Sequence, residues 1–196
     1  IKNIDSNPIK QFKKWIKEAI KNKVFEPSAM SLSTVNKRNK VSSRIVLLKG
    51  IEKNSFVFYT NLKSRKSSEL NINKRVAAVF WWPQIGKQVR IEGYVKIVKK
   101  KEADNYFSTR SRNSQIGAWA SNQSSILKDR KMLIKRYKII EKRFENKNIT
   151  RPNFWSGYEI KPFLFEFWQV RDNRLHDRIV YKRINQKKWK KYRLSP

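Results

Sequence analysis

The segment 174–178 carries the side chains best suited to binding or catalysis in this sequence. It holds the only histidine of the chain, His176, with Arg174 and Arg178 two residues away on either side. Because side chains alternate along a strand, a strand here would place all three on one face. Cationic groups at that spacing repel one another unless an anionic ligand lies across them. The spacing suits an anion-binding strand, and it suits equally well an exposed strand of a very basic protein.

A second anion site is predicted where a strand meets a helix. The chain has five glycines, and they form neither a G-x-G-x-x-G motif nor a P-loop, so side chains and helix ends must bind any phosphate. Tyr59 and Thr60 end a predicted strand, and Ser64 can cap a helix that begins with Arg65 and Lys66. Cations there oppose the helix macrodipole by about 0.3–1 kcal/mol each. A bound phosphate would reverse that effect, so we favour a phosphate site over two solvated side chains.

A third group consists of Tyr106, Arg110 and Ser114, which are spaced by four residues. On a continuous helix they would form one polar stripe of two hydroxyls and a guanidinium. Such a stripe suits a phosphate. Taken by itself, it fits an exposed helix face better.

Arg44 and Lys49 flank the apolar run 45–48, which is typical of a buried strand. The two positions differ in parity, so a regular strand would point them to opposite faces. They can bind one ligand only through a bulge, a strand end or two facing subunits. The alternative is that each cation caps the strand at the surface.

The elements that must position these groups are mostly strands. Asn7 and Pro8 form an N-cap and a first helical position, and helical spacing of apolar residues continues to about residue 22. Periodicity and turn residues predict strands over 29–35, 41–49, 55–60, 76–82, 88–98, 158–169, 175–181 and 188–194, and further helices over 65–71, 101–109 and 126–146. Because strands mostly follow one another directly, we expect an antiparallel barrel or sandwich with peripheral helices.

Composition indicates a folded protein without metal or thiol chemistry. The chain has 196 residues, 39% of them hydrophobic and 13% aromatic, which suits one domain with its own core. The lack of cysteine excludes disulfides, thiolate metal sites and a cysteine nucleophile, and a single histidine argues against zinc or iron. Neither a membrane-spanning apolar run nor a secretory signal is visible, so we expect a cytoplasmic protein.

The net charge of +32 raises the hypothesis of a nucleic-acid-binding protein. Lysine is spread over the whole chain, however, together with abundant isoleucine and asparagine, as drift in an AT-rich coding sequence would produce. A nucleic-acid binder more often concentrates its charge on one patch or arm. We therefore expect no specific nucleic-acid partner, although this class remains the main rival, and we expect the charge to speed the arrival of any anionic ligand.

Taken in order, a series of short stretches resembles the pyridoxamine (pyridoxine) 5′-phosphate oxidase family. The stretches are 44–49, 56–61, 64–66, 88–89, 106–107, 114–119, 123–124, 166–169, 174–178 and 193–196. The resemblance extends over essentially the whole chain. One departure is clear, because this chain has Val170 and Arg171 where the family usually has two glycines, which restricts the loop before Arg174.

The resemblance implies a mainly β, FMN-binding split β-barrel with antiparallel strands and peripheral helices. It further implies one domain over residues 1–196, with an N-terminal helix at about 8–22, a C-terminal substrate-site segment at about 157–196, and a homodimer with FMN at the interface. The implied reaction converts pyridoxamine 5′-phosphate and pyridoxine 5′-phosphate to pyridoxal 5′-phosphate, with O2 as acceptor and H2O2 as product. A flavoprotein of the same fold with a different substrate is the alternative within this class.

The resemblance also assigns roles to individual residues. Positions that match FMN contacts are Arg44, Lys49, Tyr59, Thr60, Arg65, Lys66, Gln88, Gln123, Ser124, Trp168 and Arg178. Positions that match contacts to the substrate phosphate are Lys49, Tyr106, Arg110 and Ser114. Arg174 and His176 match positions that flank the substrate ring, and they are the catalytic candidates, with the expected role of holding the C4′ carbon against the flavin.

Overall fold

The computed structural model describes residues 1, 4–185 and 188–196. Over these residues an antiparallel sheet is flanked by helices. The strands are β1 (Ala29–Val35), β2 (Val41–Leu47), β3 (Gly50–Glu52), β4 (Ser55–Asn61), β5 (Arg75–Trp82), β6 (Lys87–Ile97), β7 (Trp155–Gln169), β8 (Asp177–Arg183) and β9 (Trp189–Leu194). The helices are α1 (Pro8–Lys21), α2 (Arg65–Ile72), α3 (Lys100–Ser108), α4 (Arg112–Ala120) and α5 (Arg130–Arg143), with short 3₁₀ turns at Pro83–Ile85 and Asp172–Arg174.

The sheet has the strand order β2-β1-β5-β6-β7-β4-β3, and β8 and β9 continue from β7. Strand β7 has 15 residues and pairs with β6 along its length, with β4 in its first part and with β8 in its last part. The strands β2 and β3 lie at opposite ends of the order, yet only residues 48–49 separate them along the chain, so the sheet must curl to bring these two edges together. The backbone N–H of Lys49 donates to the carbonyl of Val57 at 2.8 Å, which ties the segment after β2 to β4 and curls the sheet.

Alternation along β6 and β7 separates a core face from an outer face. The core face carries buried apolar residues, among them Val89, Ile91, Phe165 and Phe167. The outer face carries Gln88, Arg90, Glu166 and Trp168, which lie side by side because Gln88 pairs with Trp168 and Arg90 pairs with Glu166. This alternation is what directs one set of polar side chains away from the core.

Helix α1 packs its apolar face onto the sheet. The Asn7 side chain accepts backbone N–H groups of the first turn and Pro8 takes the first position, as the sequence predicts. Phe12 and Trp15 are buried, and the Phe12 ring meets the Phe56 ring edge-on at 4.8 Å. The cap and these two aromatic residues fix α1 against the core.

Between residues 101 and 146 the sequence predicted two helices, whereas the structure has three, with different boundaries. Helix α4 was missed, and α5 begins at Arg130 and ends at Arg143 instead of covering 126–146. Polar caps set these boundaries, since Ser111 accepts the N–H of Ser114 and Asp129 accepts that of Met132 at 2.8 Å. Such caps are local hydrogen bonds that apolar periodicity does not reveal.

Among the described residues, no helix combines the length and the apolar character that crossing a bilayer requires. Within the same part of the chain, no three side chains of the His, Asp and Glu types are arranged to hold a metal ion.

Candidate active site

A cavity of about 1050 Å³ lies between edge strand β2, the end of β4, the start of α2 and the α3–α4 region. Many of the residues singled out in the sequence line it, namely Arg44, Lys49, Tyr59, Thr60, Arg65, Lys66, Tyr106, Arg110, Ser114, Gln123 and Ser124. Arg44 and Lys49 reach the same cavity because β2 ends at Leu47, so Lys49 lies beyond the strand and its parity no longer applies. Of the open alternatives for this pair, the strand end is the one observed.

Lys66 is buried at the start of α2 and gathers polar partners from three segments. Its Nζ donates to Thr60 Oγ1 at 2.9 Å, to Gln123 Oε1 at 2.9 Å and to Ser64 Oγ at 3.3 Å. Burial first, and then the charge of Arg44, lowers the pKa of Lys66 to about 8. A cation in this setting is stabilised by any anion that enters the cavity.

Ser64 occupies the N-cap position of α2 but does not cap it with its side chain. Its hydroxyl donates instead to Ser67 Oγ at 3.2 Å. The first N–H groups of α2 therefore have no acceptor in the Ser64 side chain, and they lie beside the charges of Arg65 and Lys66. Uncapped amides next to cations favour an anionic ligand at this helix end.

Glu69, which was not among the predicted site residues, binds two of the predicted arginines. It is buried, with 4% of its surface exposed, and accepts from Arg65 Nε at 2.9 Å and Arg44 Nη2 at 3.3 Å. Burial raises its pKa, but hydrogen bonds from Thr34, Ser42 and Arg65 outweigh burial and lower the pKa to about 2. One carboxylate against the cations Arg44, Arg65 and Lys66 leaves this wall positive. The spacing of four between Arg65 and Glu69 was the available sequence signal.

An aromatic wall faces the second group of predicted residues. The rings of Tyr59 and Tyr106 stack at 3.9 Å, and the Tyr59 ring stacks on Trp155 at 5.3 Å. Burial, and to a smaller extent the carboxylate of Glu52, raises the pKa of Tyr59 to about 12, so its hydroxyl stays protonated at neutral pH. Trp155 was missed because no local pattern distinguishes it from a core residue.

Arg110 lies against this wall with its charge incompletely satisfied. Its guanidinium is 4.8 Å from the centre of the Trp155 ring, and its Nη1 is buried without a hydrogen-bond partner among the described residues. Burial lowers the pKa of Arg110, while the neighbouring Tyr106 raises it. A buried donor of this kind costs free energy unless a ligand accepts from it.

The prediction that Tyr106, Arg110 and Ser114 share one continuous helix was wrong. Helix α3 ends at Ser108, and α4 begins after its cap, Ser111. The local reason is a run of hydroxyls that bond to the backbone and compete with helical hydrogen bonds, as Thr109 Oγ1 does with the Tyr106 carbonyl at 2.8 Å. The three side chains nevertheless line the same cavity.

The remaining candidates, which we call the outer-face cluster, lie on the outer sheet face or in the turn that precedes β8; they are Gln88, Trp168, Arg174, His176 and Arg178. Trp168 pairs with Gln88 on one side and with Arg178 on the other, and the His176 ring lies 4.5 Å from the Trp168 ring. None of the five lines the cavity of the same chain.

The premise that Arg174, His176 and Arg178 share a strand face was wrong. Strand β8 begins at Asp177 and includes Arg178, whereas Arg174 lies in a 3₁₀ turn and His176 links that turn to the strand. Asn173 and Arg174 both have positive φ, at 54° and 60°, which a strand does not allow. The turn nevertheless places His176 beside Trp168 at the edge of the outer face.

Comparison with known proteins decides the family. A model described as pyridoxamine 5′-phosphate oxidase matches residues 16–143, and one described as pyridoxine 5′-phosphate oxidase C-terminal dimerisation region matches residues 155–196. This chain belongs to the pyridoxamine 5′-phosphate oxidase family. The resemblance drawn from the short sequence stretches is thereby confirmed, and the chain is an enzyme of an FMN-dependent oxidase family.

Two relatives show how far the similarity extends. The pyridoxine/pyridoxamine 5′-phosphate oxidase of Leptospira interrogans strain Fiocruz L1-130 is 47% identical over 196 residues, covering 100% of this chain and 92% of the relative. The protein of the same name from Nostoc punctiforme is 47% identical over 193 residues, covering 98% and 90%. The similarity therefore includes both the cavity and the outer-face cluster.

Solved structures confirm the fold class. PhzG from Burkholderia lata 383, in complex with tetrahydrophenazine-1-carboxylic acid, matches with a TM-score of 0.93 at 30% identity, covering 99% of this chain and 95% of that one. A pyridoxamine 5′-phosphate oxidase-related, FMN-binding protein from Nostoc punctiforme matches with a TM-score of 0.76 at 14% identity, covering 94% and 97%. The mainly β, FMN-binding split barrel expected from the sequence is the fold of this oxidase-family chain.

Proposed function

We propose that this protein is a flavin-dependent oxidase that converts pyridoxamine 5′-phosphate and pyridoxine 5′-phosphate to pyridoxal 5′-phosphate, with O2 as acceptor and H2O2 as product. The observation that carries the proposal is the presence of two separate anion-binding groups in one cavity. One is centred on Lys66 and the other on Arg110. A cofactor phosphate and a substrate phosphate would account for both.

The residues around Lys66 fit FMN. Lys66, Arg44 and Arg65 would hold its phosphate, and the residues beside them, Tyr59, Thr60, Gln123 and Ser124, would contact the rest of the cofactor. The buried ammonium and the uncapped start of α2 both favour an anion at this end. When bound, FMN supplies the hydride acceptor that the protein itself lacks.

The residues around Arg110 fit the phosphate of the substrate. Arg110 has a buried nitrogen with a free hydrogen, and Lys49, Tyr106 and Ser114 line the same cavity. A protonated tyrosine hydroxyl and a guanidinium are both donors, as phosphate oxygens require. Lys49 is exposed beyond β2 and could reach either phosphate.

We propose a homodimer in which the outer-face cluster of one subunit completes the cavity of the other. The cluster lies outside the cavity of its own chain, and the matched C-terminal dimerisation region, residues 155–196, includes Trp168, Arg174, His176 and Arg178. On the same sheet face the large side chain of Trp81 is half exposed and contacts Trp168. Burial of this exposed tryptophan surface would favour the proposed interface.

In this arrangement Gln88, Trp168 and Arg178 would contact FMN, while Arg174 and His176 would flank the substrate ring. Their task is to hold C4′ at the flavin and to keep the heteroatom on C4′ correctly oriented. The overall reaction removes two electrons and two protons from the substrate, and O2 takes up the two electrons and the two protons to form H2O2. With the amine substrate, water then hydrolyses the imine to the aldehyde and ammonia.

The proposal includes one domain over residues 1–196 and a cytoplasmic location. Strand β7 supports the single domain, since it belongs to the C-terminal region and pairs with β4 and β6 of the N-terminal region. A cytoplasmic location agrees with the substrates, because charged phosphate esters do not cross the apolar interior of a bilayer. No specific nucleic-acid partner is included, as exposed cations occur on many elements of the molecule.

The decisive experiment is to purify the protein, identify any flavin by its absorption spectrum after release, and follow pyridoxal 5′-phosphate formation with and without O2. We expect a yellow protein with about one FMN per chain, and equal amounts of aldehyde and H2O2. A protein that cannot be loaded with FMN, or one that forms the aldehyde equally well without any electron acceptor, would refute the proposal.

A second candidate is an oxidase of the same fold that acts on a cyclic carboxylic acid. The similarity to PhzG with its bound tetrahydrophenazine-1-carboxylic acid favours it, because a carboxylate could also pair with Arg110. Turnover of pyridoxamine 5′-phosphate should be compared with turnover of a reduced phenazine carboxylic acid. Activity with the carboxylic acid alone would replace the first proposal with the second.

A further inference from the structure

The turn that carries Arg174 is closed at its base by an ion pair. Arg171 Nε lies 2.8 Å from Asp177 Oδ2, and the other carboxylate oxygen of Asp177 accepts from Arg193. The Arg171–Asp177 pair therefore joins the two ends of the segment 171–177.

Within this segment the backbone is held in an unfavourable conformation. Asn173 and Arg174 are consecutive residues at positive φ, which L-amino acids with side chains rarely adopt. Such a turn persists only when its surroundings hold it in place. The ion pair at its base and the hydrogen bond from the Val170 N–H to the Gly86 carbonyl at 2.9 Å supply that restraint.

Arg171 also acts on His176 through its main chain. The backbone N–H of Arg171 donates to His176 Nδ1 at 3.1 Å. A nitrogen that accepts a hydrogen bond carries no proton, so in the neutral ring the proton lies on Nε2. The centres of the His176 and Trp168 rings lie 4.5 Å apart, with the rings tilted against each other.

We propose that Arg171 is a positioning residue that holds His176 in the tautomer whose Nε2–H is a hydrogen-bond donor. Its side chain closes the turn on Asp177, and this closure keeps its backbone N–H on Nδ1. His176 then orients the substrate as a fixed donor, and it does not act as the base that removes a proton. This inference rests on the proposed function for its role in catalysis, but the geometry of the turn can be tested without any turnover.

The chain has a single histidine, so a protein labelled with 15N-histidine shows one imidazole. We would record its nitrogen spectrum in the FMN-loaded protein, for the wild type and for Arg171→Gln, Arg171→Lys and Arg38→Gln. Arg38 is exposed in the turn between β1 and β2 and provides a matched loss of one arginine. Anaerobic flavin reduction by pyridoxamine 5′-phosphate would be measured in the same four proteins.

We expect a wild-type spectrum with the proton on Nε2, retained in Arg171→Lys and Arg38→Gln. In Arg171→Gln the chemical shifts of the two ring nitrogens should approach each other, as expected when the two tautomers exchange. Flavin reduction should slow by between about tenfold and a hundredfold while FMN content is unchanged. A wild-type proton on Nδ1 would overturn the proposal, even if Arg171→Gln failed to fold. So would an unchanged spectrum and rate in a folded Arg171→Gln. Failure of every protein to form pyridoxal 5′-phosphate, with the spectra as expected, would refute the proposed function and leave the geometry of the turn intact.

Discussion

At the scale of single residues, the cavity is defined by cations that lack a full set of partners. Lys66 is buried among neutral oxygens, and Arg110 has a buried nitrogen with no acceptor among the described residues. Glu69 neutralises part of the charge of Arg44 and Arg65 but contacts neither Lys66 nor Arg110 through an ion pair in the described part of the chain. Anionic ligands should therefore bind most favourably at Lys66 and Arg110, whose charges are not neutralised by an ion pair among the described residues.

The pKa of Lys66 predicts how FMN binding depends on pH. Since this pKa is lowered to about 8, the ammonium is present below that value and is lost as pH rises through it. FMN affinity should be constant below about pH 7 and then fall by up to about tenfold per pH unit above 8, as expected for one linked proton. Fluorescence titration of the apoprotein between pH 6.5 and 9.5 measures this.

The control for that profile is Lys66→Ala. The substitution should weaken FMN binding by about 2–5 kcal/mol, the usual effect of removing one partner from a desolvated charge pair. It should also abolish the decline above pH 8. If the variant keeps the wild-type pH profile, another group is responsible and Lys66 does not bind the phosphate.

Arg110→Ala should separate substrate binding from cofactor binding. Removing a charged hydrogen bond costs roughly 1.5–3 kcal/mol, so the KM for pyridoxamine 5′-phosphate should rise about tenfold or more. FMN affinity should change little, because Arg110 contacts the aromatic wall and not the Lys66 group. Steady-state kinetics and FMN titration test both, and weakened FMN binding with an unchanged KM would reverse the assignment.

At the scale of secondary-structure elements, strand ends and helix caps bring the functional groups together. The end of β2 frees Lys49 from the alternation of the strand, and the break between α3 and α4 turns Arg110 toward Trp155. Strand β7 serves both halves of the proposed site, since it begins with Trp155 at the cavity and carries Trp168 on the outer face. Helix α1 contributes no cavity residue and stabilises the sheet from the core side.

The cap of α1 gives a prediction at this scale. Asn7→Ala removes the side-chain acceptor for the first N–H groups of the helix and should lower the free energy of unfolding by about 1 kcal/mol. Lys10→Ala, at an exposed position of the same helix, should change it by less than about 0.5 kcal/mol. Denaturant unfolding of both variants tests this, and equal stabilities would show that the cap contributes nothing measurable.

At the scale of the whole molecule, the proposed site needs two copies of the chain. Each chain carries both the cavity and the outer-face cluster, but no residue of the cluster lines the cavity of the same chain. A two-fold dimer would form two equal sites, each with a cavity from one subunit and a cluster from the other. Defects in different groups could then be separated onto different subunits.

Mixed dimers of Arg110→Ala and Arg174→Ala should therefore recover activity. In a mixed dimer one site combines both defects and the other combines the intact cavity with the intact cluster. After random exchange, half of the dimers are mixed, so activity should return to about a quarter of the wild-type value. Mixing Arg110→Ala with Lys49→Ala, which are both cavity variants, should give no recovery. Activity equal to the average of the two parents in the first mixture would show that each chain forms its site alone.

The amino-acid sequence by itself determined the local features of this protein. The cap at Asn7 and Pro8, the strands β6 and β7, and the cations at the start of α2 were all predicted correctly, because they depend on residues within a few positions of one another. The mainly β architecture followed from the same periodicities. Where local hydrogen bonds replaced a regular pattern, at Ser111 and in the turn at Arg174, the prediction failed.

Only the tertiary structure decided which of these groups meet. Glu69 reaches Arg44 across 25 positions, and Trp155 joins Tyr59 and Tyr106 from a distant part of the chain. The tertiary structure also placed some of the predicted site residues in the cavity and the others outside it, a division that no spacing in the sequence indicated. The physical reason is that such contacts depend on the order and curl of the strands, and these follow from packing of the whole sheet around one core.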